Sequence, residues 1–173
     1  FDLIVFQNFS YKPFIDKGYL TNIKNFVESG GAFMMIGGEL SFQGGGYAET
    51  AIEEILPVHL EDKPQPFVDE SFDIQLERNP SRHPILQLEK ESGANSRVWE
   101  KLPELNGINL GLKPRKNANI LASFVKGRDK YPVLVTGRAG KGRSLIVATD
   151  SLWNWNFRQV GEGGSGRHYH RFW

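Results

Sequence analysis

Residues 37–41, Gly37-Gly38-Glu39-Leu40-Ser41, follow directly on the apolar run 32–36. A strand that ends in glycines and turns sharply presents a side chain at an exposed tip, because glycine removes the Cβ that would crowd the turn. Here that side chain is Glu39, with Ser41 two residues on. A carboxylate at such a tip acts as base or nucleophile when a partner acid and a shaped pocket are supplied. The plainer alternative is a tight turn in which Glu39 binds backbone amides. His168 is the candidate acid–base partner, since a hydrolase-like arrangement delivers its His from a loop after a late strand. Asp150, with Ser151, follows the last apolar run, 144–149. Gln7 and Asn8 follow the first, 3–6, in the same way. Ligands of an open α/β sheet bind beyond the carboxyl ends of its strands. These three polar pairs are therefore expected at one sheet edge.

Other residue types admit binding. Gly44-Gly45-Gly46 is the densest glycine run, but it lacks the Lys-Ser/Thr of a phosphate-binding loop. It reads as a flexible loop, leaving Gly38, Gly45 and Gly46 as candidate backbone contacts to a ligand. Trp153 and Trp155 flank Asn154 and either stack on a ring-shaped ligand or cap the core. His168 and His170 lie two apart near Asp150 and Glu162, a spacing that points to different sides of a helix, so no metal site is expected. No cofactor is expected either. His83, before Pro84, suits a structural hydrogen bond, and His59 the surface. Arg138, Lys141 and Arg143 form a basic hairpin turn too small to bind nucleic acid.

Composition narrows the classes further. The 173 residues are 39% hydrophobic and 24% charged, a folded, non-disordered make-up. Lys plus Arg is 21 against 20 for Asp plus Glu, which argues against a nucleic-acid partner. There is no cysteine, so disulfides, thiolate metal sites and every thiolate nucleophile are excluded within these residues. No apolar run approaches the roughly 18 residues of a membrane span, and no signal peptide is visible. The apolar start at Phe1 and the abrupt end at Trp173 suggest one domain, 1–173, excised from a longer chain.

The elements that must position these residues are legible as patterns. Runs 3–6 and 32–36 read as buried parallel strands, joined by a helix over 19–29 that Gly30-Gly31 stops. Thr50 and Glu53 have capping-box spacing at the start of a short helix that Pro57 closes. From 58 to 117 prolines cluster, 72–76 alternates as one strand, and 83–86 and 99–103 look like turns; this segment reads as an inserted elaboration. Strands follow at 118–124, 131–136 and 144–149, and a helix begins near 168. The expected fold is α/β, with a mostly parallel sheet, late antiparallel strands and an inserted loop/strand segment.

The combination of Phe1 to Asn8, Ile36-Gly37-Gly38-Glu39-Leu40-Ser41-Phe42 with Gly45-Gly46-Tyr47, His83-Pro84-Ile85, Pro132-Val133-Leu134-Val135, Gly140-Lys141-Gly142-Arg143 and Thr149-Asp150-Ser151 with Trp153-Asn154-Trp155 resembles the glutamine amidotransferase-like family. That family belongs to the class I glutamine amidotransferase-like superfamily. The resemblance covers nearly the whole chain. It implies a flavodoxin-like three-layer sandwich. Catalytic members of the superfamily hydrolyse glutamine with a Cys at the elbow and a later His–Glu pair. By position that nucleophile falls at or next to Glu39, and the His near His168. A Cys-free chain cannot use the family's thiolate, so the resemblance implies a degenerate, non-catalytic domain for ligand binding or interaction. The alternative is a hydrolase built from Glu39 or Ser41 with His168 and Asp150. Similar domains occur in larger membrane-anchored bacterial proteins, some with a von Willebrand A-like domain. Other domains of the same chain are thus the implied partners, on a fragment without a membrane span of its own.

Overall fold

The computed structural model describes residues 1–77 and 83–173. Strand β1 (Leu3–Gln7) leads through helix α1 (Lys17–Glu28) to β2 (Ala32–Ile36), paired parallel to β1 with Leu3 opposite Ala32. Continuous apolar runs become buried parallel strands because the crossover helix covers one face. The chain returns to this sheet late. Strand β10 (Gly142–Val147) lies parallel to β2, and β9 (Asp129–Ala139), β8 (Asn119–Lys126) and β5 (Gln75–Leu76) follow antiparallel. The order is β1-β2-β10-β9-β8-β5. The sheet is thus parallel at its start and antiparallel beyond β10, a mixed α/β arrangement consistent with a flavodoxin-like fold.

Helix α2 (Ala51–Ile55) packs beside α1. The predicted capping box takes a different form. Thr50 Oγ1 donates to Tyr47 O, while Glu53 accepts from the N–H groups of Glu49 and Leu60. Glu53 therefore ties the helix start to β3 (Val58–Leu60) instead of closing a box with Thr50.

The inserted segment contains two small antiparallel pairs. Strand β3 pairs with β7 (Leu112–Pro114), and β4 (Phe67–Phe72) with β6 (Leu105–Asn109). The single strand expected over 72–76 divides, since β4 ends at Phe72 and β5 joins the main sheet. The turn expected at 99–103 begins instead as the end of helix α3 (Ser92–Trp99). Leu86 O, in a 3-10 turn (Pro84–Leu86), accepts from both Asn95 Nδ2 and Trp99 Nε1, so α3 is held by two buried donors. His83 Nδ1 accepts from Ile85 N–H, the structural bond expected of it. Two C-terminal helices complete the chain, α4 (Asn154–Gly161) and α5 (Arg167–Phe172). Helix α4 is absent from the sequence patterning, because Asn154 and Asn156 interrupt its apolar face. One apolar core joins the insert to the sheet, with Phe72, Leu105 and Ile108 packed among residues such as Val133 and Ile146.

Candidate functional site at the strand tips

The three predicted strand ends do meet. Asn8 follows β1 in a left-handed backbone conformation, φ 42°, which asparagine tolerates better than most residues. Its side chain bridges two neighbours. Oδ1 accepts from Leu40 N–H at 2.9 Å, and Nδ2 donates to Asp150 Oδ2 at 3.4 Å. The turns after β1, β2 and β10 are thereby tied together.

A fourth element holds the central turn. Asn109, at the end of β6 and 2% exposed, accepts from Gly38 N–H at 2.9 Å and donates to Gly38 O at 3.0 Å. Its own N–H donates to Ala148 O. Asn106 continues this lattice. Its N–H donates to Ser151 Oγ, its carbonyl accepts from Thr149 Oγ1, and its Oδ1 accepts from Asn154 Nδ2. Asn106 and Asn109 went unrecognised in the sequence because they sit in the insert, with no neighbouring motif. The one available signal is their placement in Asn106-Gly107-Ile108-Asn109, with Gly107 between them and Gly111 two residues on, both at φ 73°.

The strained position of the turn is Gly38, at φ +116°, and not Glu39. A Cβ built on Gly38 lies 2.4 Å from Asn8 Cγ, and one on Gly37 lies 2.5 Å from Thr149 N. Both glycines are needed for close approach. The space into which a side chain at position 38 would project is filled by the Asn8 amide. Glu39 is exposed beside it, and Asp150 is half-buried. Burial, with a smaller contribution from Glu39, holds the Asp150 carboxyl above its ordinary range.

The remaining candidates separate. Ser41 is fully buried and its Oγ donates to Ile36 O at 2.6 Å, so this hydroxyl braces the turn instead of facing a ligand. His168 belongs to another face. Its Nε2 lies 3.1 Å from Glu89 Oε1, in a cluster where Arg167 and Arg171 also pair with Glu89. Burial first, and those two guanidinium groups next, hold its imidazole below its usual range. No described contact joins His168 to Glu39, Ser41 or Asp150. Trp155 is fully buried, with Nε1 donating to Pro103 O and its ring edge-on to Trp99 and Phe172. It caps the core and offers no face to a ligand. Trp153, half exposed, does face a hollow of about 350 Å³ shared with Gln7 and Asp150.

The glycine loop is packed instead of open. A Cβ on Gly45 would meet Leu40 O and the Tyr47 ring, and one on Gly46 would meet Lys12. Ser10 Oγ donates to Gly45 O, and Tyr47 Oη donates to Phe9 O. Gly45 and Gly46 serve close packing between the loops after β1 and β2, which leaves no cradle for a phosphate.

This frame has known relatives. The family model described as "Putative glutamine amidotransferase" matches residues 4–173. The chain belongs to the glutamine amidotransferase-like family. Two solved structures are similar to this amidotransferase-like chain over most of its length. Cytoplasmic Protein STM1381 from Salmonella typhimurium LT2 is 28% identical with a TM-score of 0.75, over 100% of this chain and 69% of that one. Cytoplasmic Protein STM3548 from Salmonella typhimurium is 23% identical with a TM-score of 0.68, over 87% of this chain and 61% of that one. The fold alone is shared with a beta-galactosidase from Bacillus circulans sp. alkalophilus, at 14% identity and a TM-score of 0.57, where 96% of this chain matches 23% of that one. No curated protein matches.

Proposed function

We propose that this amidotransferase-like domain is a non-catalytic binding module of a larger protein. Its ligand would sit over Gln7, Asn8, Glu39, Asp150 and Trp153. The observation that carries this reading is Gly38. At the strained tip, where an elbow would carry its attacking atom, the residue has no side chain and the Asn8 amide fills the space. Cysteine is absent, Ser41 is tied to Ile36 O, and His168 is tied to Glu89. A rigid polar rim remains, with exposed acceptors at Glu39 and Asp150 and a flanking indole, which suits recognition more than turnover. The part played in a larger chain is supported by the 61% and 69% of the two Salmonella chains that this one spans. Among the described residues no helix is long and apolar enough to cross a membrane.

The hydrolase alternative retains only Glu39 and Asp150. The test is ammonia release from L-glutamine and a panel of simple amides between pH 5 and 9, with Glu39→Gln in parallel. No release above the uncatalysed rate is expected from either protein. Release that Glu39→Gln abolishes would overturn the non-catalytic reading.

A further inference from the structure

The hollow of about 350 Å³ that Trp153 and Asp150 share has one charged wall and three aromatic ones. Asp150 is the single charged side chain among its described lining residues. Its carboxylate accepts from Asn8 Nδ2 at 3.4 Å and, among the described residues, forms no ion pair. Burial, and Glu39 after it, raise this carboxyl, as expected of a negative charge without a counter-charge. The aromatic walls come from two places. Trp153 closes the 3-10 turn after β10, and Phe157 stands edge-on to it with ring centroids 6.0 Å apart. Tyr169 on α5 and Trp173 just after it lie four residues apart, a spacing that brings side chains together. Their ring centroids are 6.4 Å apart and their planes meet at 75°, so the two rings make a corner. Trp153 and Trp173 are each about half exposed. The floor is aliphatic, with Val5 on β1 beside its partner Met34 on β2.

We infer that this hollow binds a small organic cation, a methylated ammonium group, between the Asp150 carboxylate and the rings of Trp153, Tyr169 and Trp173. The face of an aromatic ring is negative and attracts a cation, most strongly where water is excluded. Asp150 supplies the counter-charge that the cation needs and that the protein itself does not give it. A primary ammonium has three N–H donors to satisfy, and an aliphatic floor accepts from none of them. Methyl groups in their place pack on Val5 and Met34 without that cost. A sugar needs several convergent hydrogen-bonding groups and a flat ring to stack on, whereas Tyr169 and Trp173 form a corner that fits a rounded head. The volume lies near the lower end of ligand pockets, about 300–1,000 Å³, and so suits a small molecule.

The inference rests on the binding part of the proposed function and gives its ligand a chemical class. The test is calorimetric titration of the whole natural protein with three probes: choline, its neutral isostere dimethylbutanol with carbon in place of the charged nitrogen, and methyl glucoside. Roughly tenfold tighter binding of choline than of either neutral probe is expected. Asp150→Asn should remove most of that preference, and so should Trp153→Ala, at a half-exposed position where folding is not at stake. Equal binding of choline and dimethylbutanol, or no binding of choline at millimolar concentration, would overturn the inference. Tighter binding of methyl glucoside would also overturn it, in favour of a sugar. Choline binding unchanged in both variants would put the cation elsewhere and overturn it too. None of these results touches the non-catalytic reading, which fails separately, on ammonia release that Glu39→Gln abolishes.

Discussion

Asn109 shows how one amide can organise a turn from a distant part of the chain. Its carbonyl and NH₂ both serve Gly38, so its removal leaves a buried N–H and a buried C=O without partners. At about 1–2 kcal/mol for each such group, Asn109→Ala should lose about 2–4 kcal/mol in urea unfolding, with the slope unchanged. Asp150 gives a residue-scale prediction of opposite character. Its folded carboxyl is raised, chiefly by burial, so the folded state holds its proton to higher pH than the unfolded chain does. That contribution to stability is full below the ordinary value of 3.8 and is lost as pH rises through the folded value. Asp150→Asn should remove this acid-side slope and raise the thermal midpoint at neutral pH, read by melting curves from pH 3 to 7.

At the scale of elements, α5 is held from two sides. Phe172 packs edge-on against Trp155, while Glu89 gathers Arg167, His168 and Arg171. The apolar contact is independent of pH, but His168 is not. Its folded imidazole is depressed below 6.5 by burial and the adjacent arginines, so the folded state binds fewer protons than the unfolded one. Its contribution is present above about pH 6.5 and is lost as pH falls from there to the folded value. Hydrogen exchange in α5 should therefore quicken between pH 6.5 and 5 relative to β9, and His168→Gln should flatten that difference. The pairing that His168 makes also explains why it is unavailable to the strand tips: α5 turns it toward Glu89, while Tyr169 and Trp173 take the face over β1 and β2.

The whole molecule is asymmetric about its sheet. Phe33, on the covered face, makes an edge-on contact with Phe6 and is 1% exposed; Phe33→Ala should cost about 3–5 kcal/mol. Val5, on the other face, is 46% exposed, and Val5→Lys in the 173-residue chain should change stability by no more than about 0.5 kcal/mol. Denaturation of the two variants checks the contrast. The amidotransferase-like frame here carries Gly38 at the tip after β2, with the Asn8 amide filling the space beside it. Coverage of 23% of a beta-galactosidase chain shows that the same fold also occurs as a minor part of a much longer chain.

Much was determined by the sequence alone. The apolar runs at 3–6, 32–36 and 144–149 and the glycine stop after α1 already implied an α/β frame, the absence of cysteine excluded a thiolate within these residues, and the resemblance of the motifs implied the amidotransferase-like family. Those features are local, set by periodicity, turn chemistry and residue type. The meeting of the turns that carry Asn8, Glu39 and Asp150 was also foreseeable, because parallel strands share one carboxyl edge. Which side chains actually face that edge was decided only by tertiary structure. Ser41 turned inward to Ile36 O, Trp155 sank into the core and His168 went to Glu89, while Asn109 arrived from a segment 71 residues away from Gly38. The reason is physical: a polar side chain's role depends on which partner lies within about 3 Å of it, and no short-range pattern encodes a contact of that sequence separation.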